Sequence, residues 1–254
     1  MSSLKFMLAK DYIQGKHDVT GWYMSEKFDG YRACYCPKDK RFYSRQNKPF
    51  NAPEWFLQAM PPRLMDGELW IGRNRFQDMG AVRKKIPLDE EWLNITFQVY
   101  DMPEHPGTFS ERIKELSTLV KLAQSKWNRK RKEFEYPFNK LECPLVLAKQ
   151  IPLTSLKHLD KVYKEVLQQE GEGVMLKDPN SPYEGKRSSL LLKYKPNFDE
   201  EAIIIDYKPG QGKYTGMLGG FICKPLINHD TYSSIDEDED HIFAISGMDD
   251  AVRE

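Results

Sequence analysis

The chain has 254 residues, with 38 basic and 38 acidic side chains and a formal net charge of zero. That length suits one large domain or a larger and a smaller one. The charge balance excludes a protein that grips polyanions through net charge alone, so any nucleic-acid binding must come from a local basic face. No apolar run approaches membrane-spanning length, and residues 1–10 carry Lys5 and Lys10 rather than a long apolar core. The four cysteines follow no disulfide or zinc framework, so reduced thiols in an intracellular compartment, cytoplasm or nucleus, are expected.

In chain order, the first stretch with chemical content is Glu26-Lys27-Phe28-Asp29-Gly30-Tyr31-Arg32. A lysine is a useful nucleophile only when it can lose a proton near neutral pH, which burial or cationic neighbours favour. Asp29 is placed to steer the amine, Gly30 lets the backbone approach a ligand, and Arg32 offers a planar fork to oxygen acceptors. Alone, the stretch reads more readily as a surface turn of mixed charge. Next, Tyr31–Tyr35 and Arg41–Arg45 read as strands joined by the turn Pro37-Lys38-Asp39-Lys40. Cys34 and Cys36 share one strand face. With no second pair at zinc-like spacing, they read as packed residues.

Ala52–Met60 is predicted as a short helix ended by Pro61-Pro62, Arg63–Ile71 as a strand carrying Glu68, and Ile95–Tyr100 as a buried strand. A helix opens near Phe109 with Ser110 as N-cap, and Ile113, Leu116, Leu119, Val120 and Ala123 fall on one face. The basic run Lys126–Lys132 suits a solvated helix end or a phosphate-contacting patch equally. Ser155–Gln169 is a second amphipathic helix. Glu170–Lys177 reads as a strand with Glu170 and Glu172 on one face, and Leu190–Lys195 as a strand with Lys193 and Lys195 on one face. The polar stretch Pro196–Glu200 is a predicted domain boundary. Ala202–Tyr207, Leu218–Cys223 and His241–Ile245 beyond it are all β in character, with the turn Pro209-Gly210-Gln211-Gly212 and the acidic run Asp236–Asp240 between them.

Lys27-x-Asp29-Gly30-x-Arg32 is followed in order by Ser44-Arg45, Asp66-Gly67-Glu68-Leu69, Phe97-Gln98-Val99-Tyr100-Asp101, Glu172-Gly173-Val174-Met175-Leu176-Lys177 and Leu192-Lys193-Tyr194-Lys195-Pro196. This series resembles the covalent nucleotidyltransferases, and within them the small ATP-dependent DNA ligases of viruses and bacteria. Ordered motifs of this kind are far more specific than any one alone. The resemblance implies an α+β fold: a nucleotidyltransferase (ATP-grasp-like) domain of antiparallel sheets with flanking helices over residues 1–197, then an all-β OB-type domain over 198–254. It implies a nick-sealing enzyme of DNA replication, repair and recombination that uses ATP with Mg²⁺ or Mn²⁺, acts on nicked double-stranded DNA and works as a monomer. On the same resemblance Lys27 is the catalytic nucleophile, with Asp29, Lys193 and Lys195 also catalytic. Lys193 and Lys195 hold the α-phosphate. Ser25, Arg32, Glu68, Tyr100 and Lys177 bind the nucleotide, Glu68 at the ribose and Tyr100 against adenine. Arg32 and Arg45 contact the DNA at the nick. Glu172 holds the metal, and choosing it over Glu170 leans on the family pattern.

Two departures from that pattern carry expectations. Related ligases close their barrel with a basic and aromatic segment that visits the ATP phosphates. Gly247–Arg253 does not resemble it, so a C-terminally incomplete barrel and impaired lysine adenylation are expected. Gly210–Gly220 is also short where some viral ligases insert a long basic loop. RNA ligases and capping guanylyltransferases share the lysine motif. Arg32 argues against the phage-type RNA ligases, and the later motifs argue against capping enzymes. A non-catalytic nick-binding homologue is the remaining alternative.

Overall fold

The computed structural model describes residues 4–196, 202–225 and 242–246. Contacts divide the chain into two compact units, Met1–Pro196 and Asn197–Glu254. In the first unit the elements run β1 (Leu8–Asp11), β2 (Tyr23–Glu26), β3 (Tyr31–Cys36), β4 (Arg41–Ser44), β5 (Pro49–Phe50), α1 (Glu54–Leu57), β6 (Met65–Trp70) and β7 (Thr96–Asp101). They continue with α2 (Phe109–Lys130), β8 (Leu145–Leu147), β9 (Ile151–Pro152), α3 (Leu156–Gln168), β10 (Val174–Lys177) and β11 (Arg187–Tyr194).

The aromatic hairpin β3–β4 seeds a six-stranded sheet of order β5-β4-β3-β6-β7-β8. Its inward side chains, among them Phe42, Met65, Leu69, Phe97 and Val99, pack with Trp92 and with Leu116, Val120 and Trp127 of α2 into the larger core. The second sheet has five strands in the order β1-β11-β10-β2-β9. Met24, Val174, Leu176 and Leu192 from it pack on Leu159 and Val166 of α3, with Val162 and Tyr163 of the same face partly buried beside them. Most pairings are antiparallel, as expected. Two are parallel: β1 lies along β11, and β7 along β8. The three-stranded sheet β12 (Ala202–Pro209), β13 (Leu218–Pro225) and β14 (Phe243–Ile245) belongs to the second unit, and its described pairings are antiparallel.

Several expectations change in detail. Helix α1 spans only Glu54–Leu57, because Pro53 stands at its N-cap and the chain leaves through single turns into Pro61-Pro62. The cap of α2 is Thr108, not Ser110. Its hydroxyl accepts from the Glu111 N–H while Glu111 reaches back to the Thr108 N–H, a reciprocal capping box. Strand β10 begins at Val174 rather than Glu170. Glu170 sits at φ 63° and Gly173 at φ 143°, so residues 170–173 form a loop and strand alternation does not relate Glu170 to Glu172. Cys34 and Cys36 are free and buried in β3. No helix among the described residues is long and apolar enough to cross a membrane. The runs Asp236–Asp240 and Gly247–Arg253 lie outside the described residues.

Candidate active site

A cavity of about 280 Å³ opens between the two sheets of the first unit. Ser25, Glu26, Lys27 and Phe28 come from β2 and the turn after it, Arg32 from β3, Asp66 and Glu68 from β6, and Tyr100 from β7. The same five-stranded sheet as β2 also gives Met175 and Lys177 from β10, and Arg187, Leu191 and Lys193 from β11. Arg45 and Gln150 complete the polar lining.

The Lys27 backbone N–H donates to the Gly173 carbonyl at 2.9 Å, which ties the turn after β2 to the 170–173 loop. Across that tie the Lys27 ammonium donates to a Glu172 carboxylate oxygen, and Lys195 Nζ lies 3.9 Å from the other. Gly173 makes the approach feasible: a Cβ there would stand 2.3 Å from the Tyr194 carbonyl oxygen. Gly30 serves backbone packing as well. A Cβ on it would lie 2.2 Å from the Leu69 carbonyl oxygen, so the glycine permits β3 to meet β6 rather than a ligand to approach. Asp29 makes no hydrogen bond to Lys27 among the described residues. Burial, followed by the nearby Glu172 charge, raises its pKa.

Arg32 spends two guanidinium nitrogens on Asp66, Nε at 3.1 Å and Nη2 at 2.7 Å. Tyr183 donates its hydroxyl to the same carboxylate at 2.7 Å. Glu68 has its pKa pushed up to about 8 by burial, which outweighs the opposing pull of Arg32 and Lys27. In the free protein it therefore keeps its proton through neutral pH and can both donate and accept a hydrogen bond.

Comparison with known proteins fits this cavity. Residues 7–195 match the sequence family described as the ATP dependent DNA ligase domain. A DNA ligase of Haemophilus influenzae is 32% identical over 206 residues, covering 81% of this chain and 69% of that protein. The chain belongs to the ATP-dependent DNA ligases. A DNA ligase of Methanothrix thermoacetophila matches more locally, 35% identical over 80 residues that span 31% of this chain and 14% of that one. Among solved structures, one from a study of Lig E DNA ligases, titled as DNA binding with a minimal scaffold, superposes with a TM-score of 0.76 at 26% identity. That match covers 99% of this chain and 87% of the other. Chlorella virus DNA ligase-adenylate shares the fold at a TM-score of 0.60 and 20% identity, over 98% of this chain and 87% of that one. The chain is thus an ATP-using, DNA-joining enzyme with the α+β ligase architecture.

Within the ligase fold, the cavity gathers Ser25, Lys27, Arg32, Arg45, Glu68, Tyr100, Lys177 and Lys193 from the predicted set. Lys193 and Lys195 are drawn to different acids. Lys193 Nζ lies 3.2 Å from Asp11 on the neighbouring β1, whereas Lys195, one residue past the end of β11, faces Glu172. Lys177 is held deeper than a ligand-binding lysine need be. Its ammonium donates to Asp101, which also takes Arg112 Nε at 2.6 Å and Nη2 at 3.1 Å. Burial alone would raise the Asp101 pKa, but Lys177 and Arg112 hold it below the ordinary value.

Other residues of the site escaped the sequence reading. Asp66 and Tyr183 fix Arg32, and Arg187 adds a cation to the lining. Arg73 clamps Glu26 through Nε at 2.7 Å and Nη2 at 2.9 Å, and its Nη1 donates to the Gln169 side-chain oxygen at 2.8 Å. It thereby joins the strand end that carries Lys27 to the helix end that leads into the Glu172 loop. Asp66 stands inside a motif already singled out and was the one with a signal. Arg73 and Tyr183 carry none locally.

Proposed function

We propose that the chain seals nicks in double-stranded DNA through three phosphoryl transfers, with Lys27 as the covalent nucleophile. The uncharged Lys27 amine attacks the α-phosphorus of ATP, giving up its proton as the bond to pyrophosphate breaks, and AMP remains on nitrogen. The adenylate then passes to the 5′-phosphate at the nick, and the 3′-hydroxyl displaces AMP. In such reactions positioning and charge neutralisation supply most of the catalysis. The observation that carries the reading is the juxtaposition of Lys27 with Glu172 on a cavity lined by Arg32, Arg45, Arg187 and Lys193. Those cations suit phosphate oxygens, and the two arginines nearest solvent, Arg45 and Arg187, suit the DNA end. Glu68 serves a ribose hydroxyl, Tyr100 and Met175 offer the base apolar surface, and Lys195 holds Glu172. Residues 1–197 form the adenylation domain and 198–254 the OB-type domain.

No group of three or more His, Cys, Asp or Glu side chains among the described residues could cage a metal. A single carboxylate beside a phosphate site is what Mg²⁺ or Mn²⁺ accepts, sharing itself between the protein, substrate oxygens and several waters. Glu172 fits that role, and the ion would neutralise charge on the phosphoryl oxygens. To hold such an ion Glu172 would have to part from the Lys27 ammonium, its partner here.

The test is incubation with α-labelled ATP followed by denaturation. The wild-type protein should keep label, whereas Lys27→Ala and Lys27→Arg should keep none, the guanidinium staying protonated at any working pH. Label on the alanine variant would reassign the nucleophile.

A further inference from the structure

Three adjacent strands put a row of side chains along one wall of the cavity. Met175 of β10 pairs with Ser25 of β2. On the other side β2 pairs with β9 through Met24 and Ile151, and continuing that register by one residue sets Gln150 beside Ser25. All three line the cavity, so an apolar side chain, a hydroxyl and a carboxamide follow one another across the sheet. The carboxamide is also tethered, because Nε2 donates to the Ala148 carbonyl at 3.2 Å. Its Oε1 has no hydrogen-bond partner among the described residues.

We propose that Gln150 selects the base of the nucleotide, its Oε1 accepting from the 6-amino group of adenine. The inference rests on the reading of this cavity as the ATP site and adds a specificity determinant to it. A carboxamide matches the donor and acceptor edge of adenine. Guanine presents a carbonyl oxygen in place of the amino group, so two acceptors would face each other with no proton between them, and a buried polar group left unpaired costs affinity. The tether matters because it fixes which end of the amide meets the base. Ser25, next in the row, supplies a hydroxyl that rotates to suit either base and cannot discriminate alone.

The experiment compares label transfer from α-labelled ATP and GTP for wild type, Gln150→Leu and Gln150→Lys, with equilibrium binding of AMP and GMP measured in parallel. Gln150→Leu should lower kcat/KM for ATP by about 10- to 100-fold, mainly through KM, and bring the ATP to GTP ratio correspondingly closer to one. Gln150→Lys, which offers a donor to O6, should raise GTP use above wild type. Melting temperatures should stay within about 2 °C of wild type. An unchanged ATP to GTP ratio in the leucine variant overturns the proposal, as does equal loss of both nucleotides with a lowered melting temperature. Absence of covalent label from wild type would instead strike the Lys27 assignment, and the AMP and GMP affinities would still decide the role of Gln150.

Discussion

Two lysine–carboxylate pairs stand in the same unit, and they differ mainly in burial. Lys27 and Glu172 are 24% and 27% exposed, whereas Lys177 and Asp101 are 10% and 0% exposed. Glu172 has only Lys27 and the more distant Lys195 as cationic partners among the described residues, so it can be given up to an incoming ligand. Asp101 is saturated by Lys177, Arg112 and the Met102 N–H, and Arg112 also donates to the Gly107 and Ser181 carbonyls. A partly exposed pair is easily exchanged and adds little stability. A buried one fixes geometry and is costly to break. Similar side chains thus give an exchangeable pair at the cavity in one place and a bracket between β7, β10 and α2 in the other.

The sharpest way to break this comparison is to remove each acid in turn. Glu172→Ala should cut sealing by at least about a hundredfold, and Glu172→Asp should recover only part of it. The unfolding free energy should move by less than about 1 kcal/mol. Full sealing by the alanine variant, measured on nicked duplex with ATP, would move the metal role to another carboxylate. Asp101→Asn should do the reverse, costing about 3–5 kcal/mol in denaturant unfolding because Lys177 and Arg112 lose their counter-charge inside the protein. If Asp101→Asn unfolds like wild type while Glu172→Ala melts early, the roles assigned to the pairs are inverted.

The last effect concerns pH. Glu68 titrates near its ordinary value of 4.5 when unfolded and at about 8 when folded. Between those values the folded protein binds the extra proton, so Glu68 lowers stability progressively as pH rises from about 4.5 to about 8, and no further above. Glu68→Gln should flatten that decline. Melting curves at a series of pH values that run parallel for the two proteins would show that Glu68 is not held protonated.

Much of this organisation was legible in the sequence where it depends on neighbours along the chain. The β3–β4 hairpin followed from its aromatic-rich strands and its turn, and α3 from its amphipathic pattern. The N-cap of α2 was also spelled locally, as Thr108-x-x-Glu111, and was misplaced because Ser110 competes for the same role. Strand alternation failed at Glu170–Gly173, where two glycines among four residues favour a loop with positive φ. What the sequence could not supply were pairings between residues far apart in the chain, such as Arg32 with Asp66, Arg73 with Glu26 and Lys177 with Asp101. Each partner is unremarkable until the sheets bring it across.

The parallel pairing of β1 with β11 has a consequence for how the protein is made. Leu8 and Ala9 wall the cavity, and their strand partners are Arg187 and Ser188. At about 5–20 residues per second, a ribosome needs on the order of ten seconds or more to deliver them. For most of that interval the first strand waits without its neighbour, and closing such a long loop is slow and exposed to wrong pairings. The cavity is therefore among the last parts of its unit to form during synthesis, completed by residues translated at opposite ends of the fold.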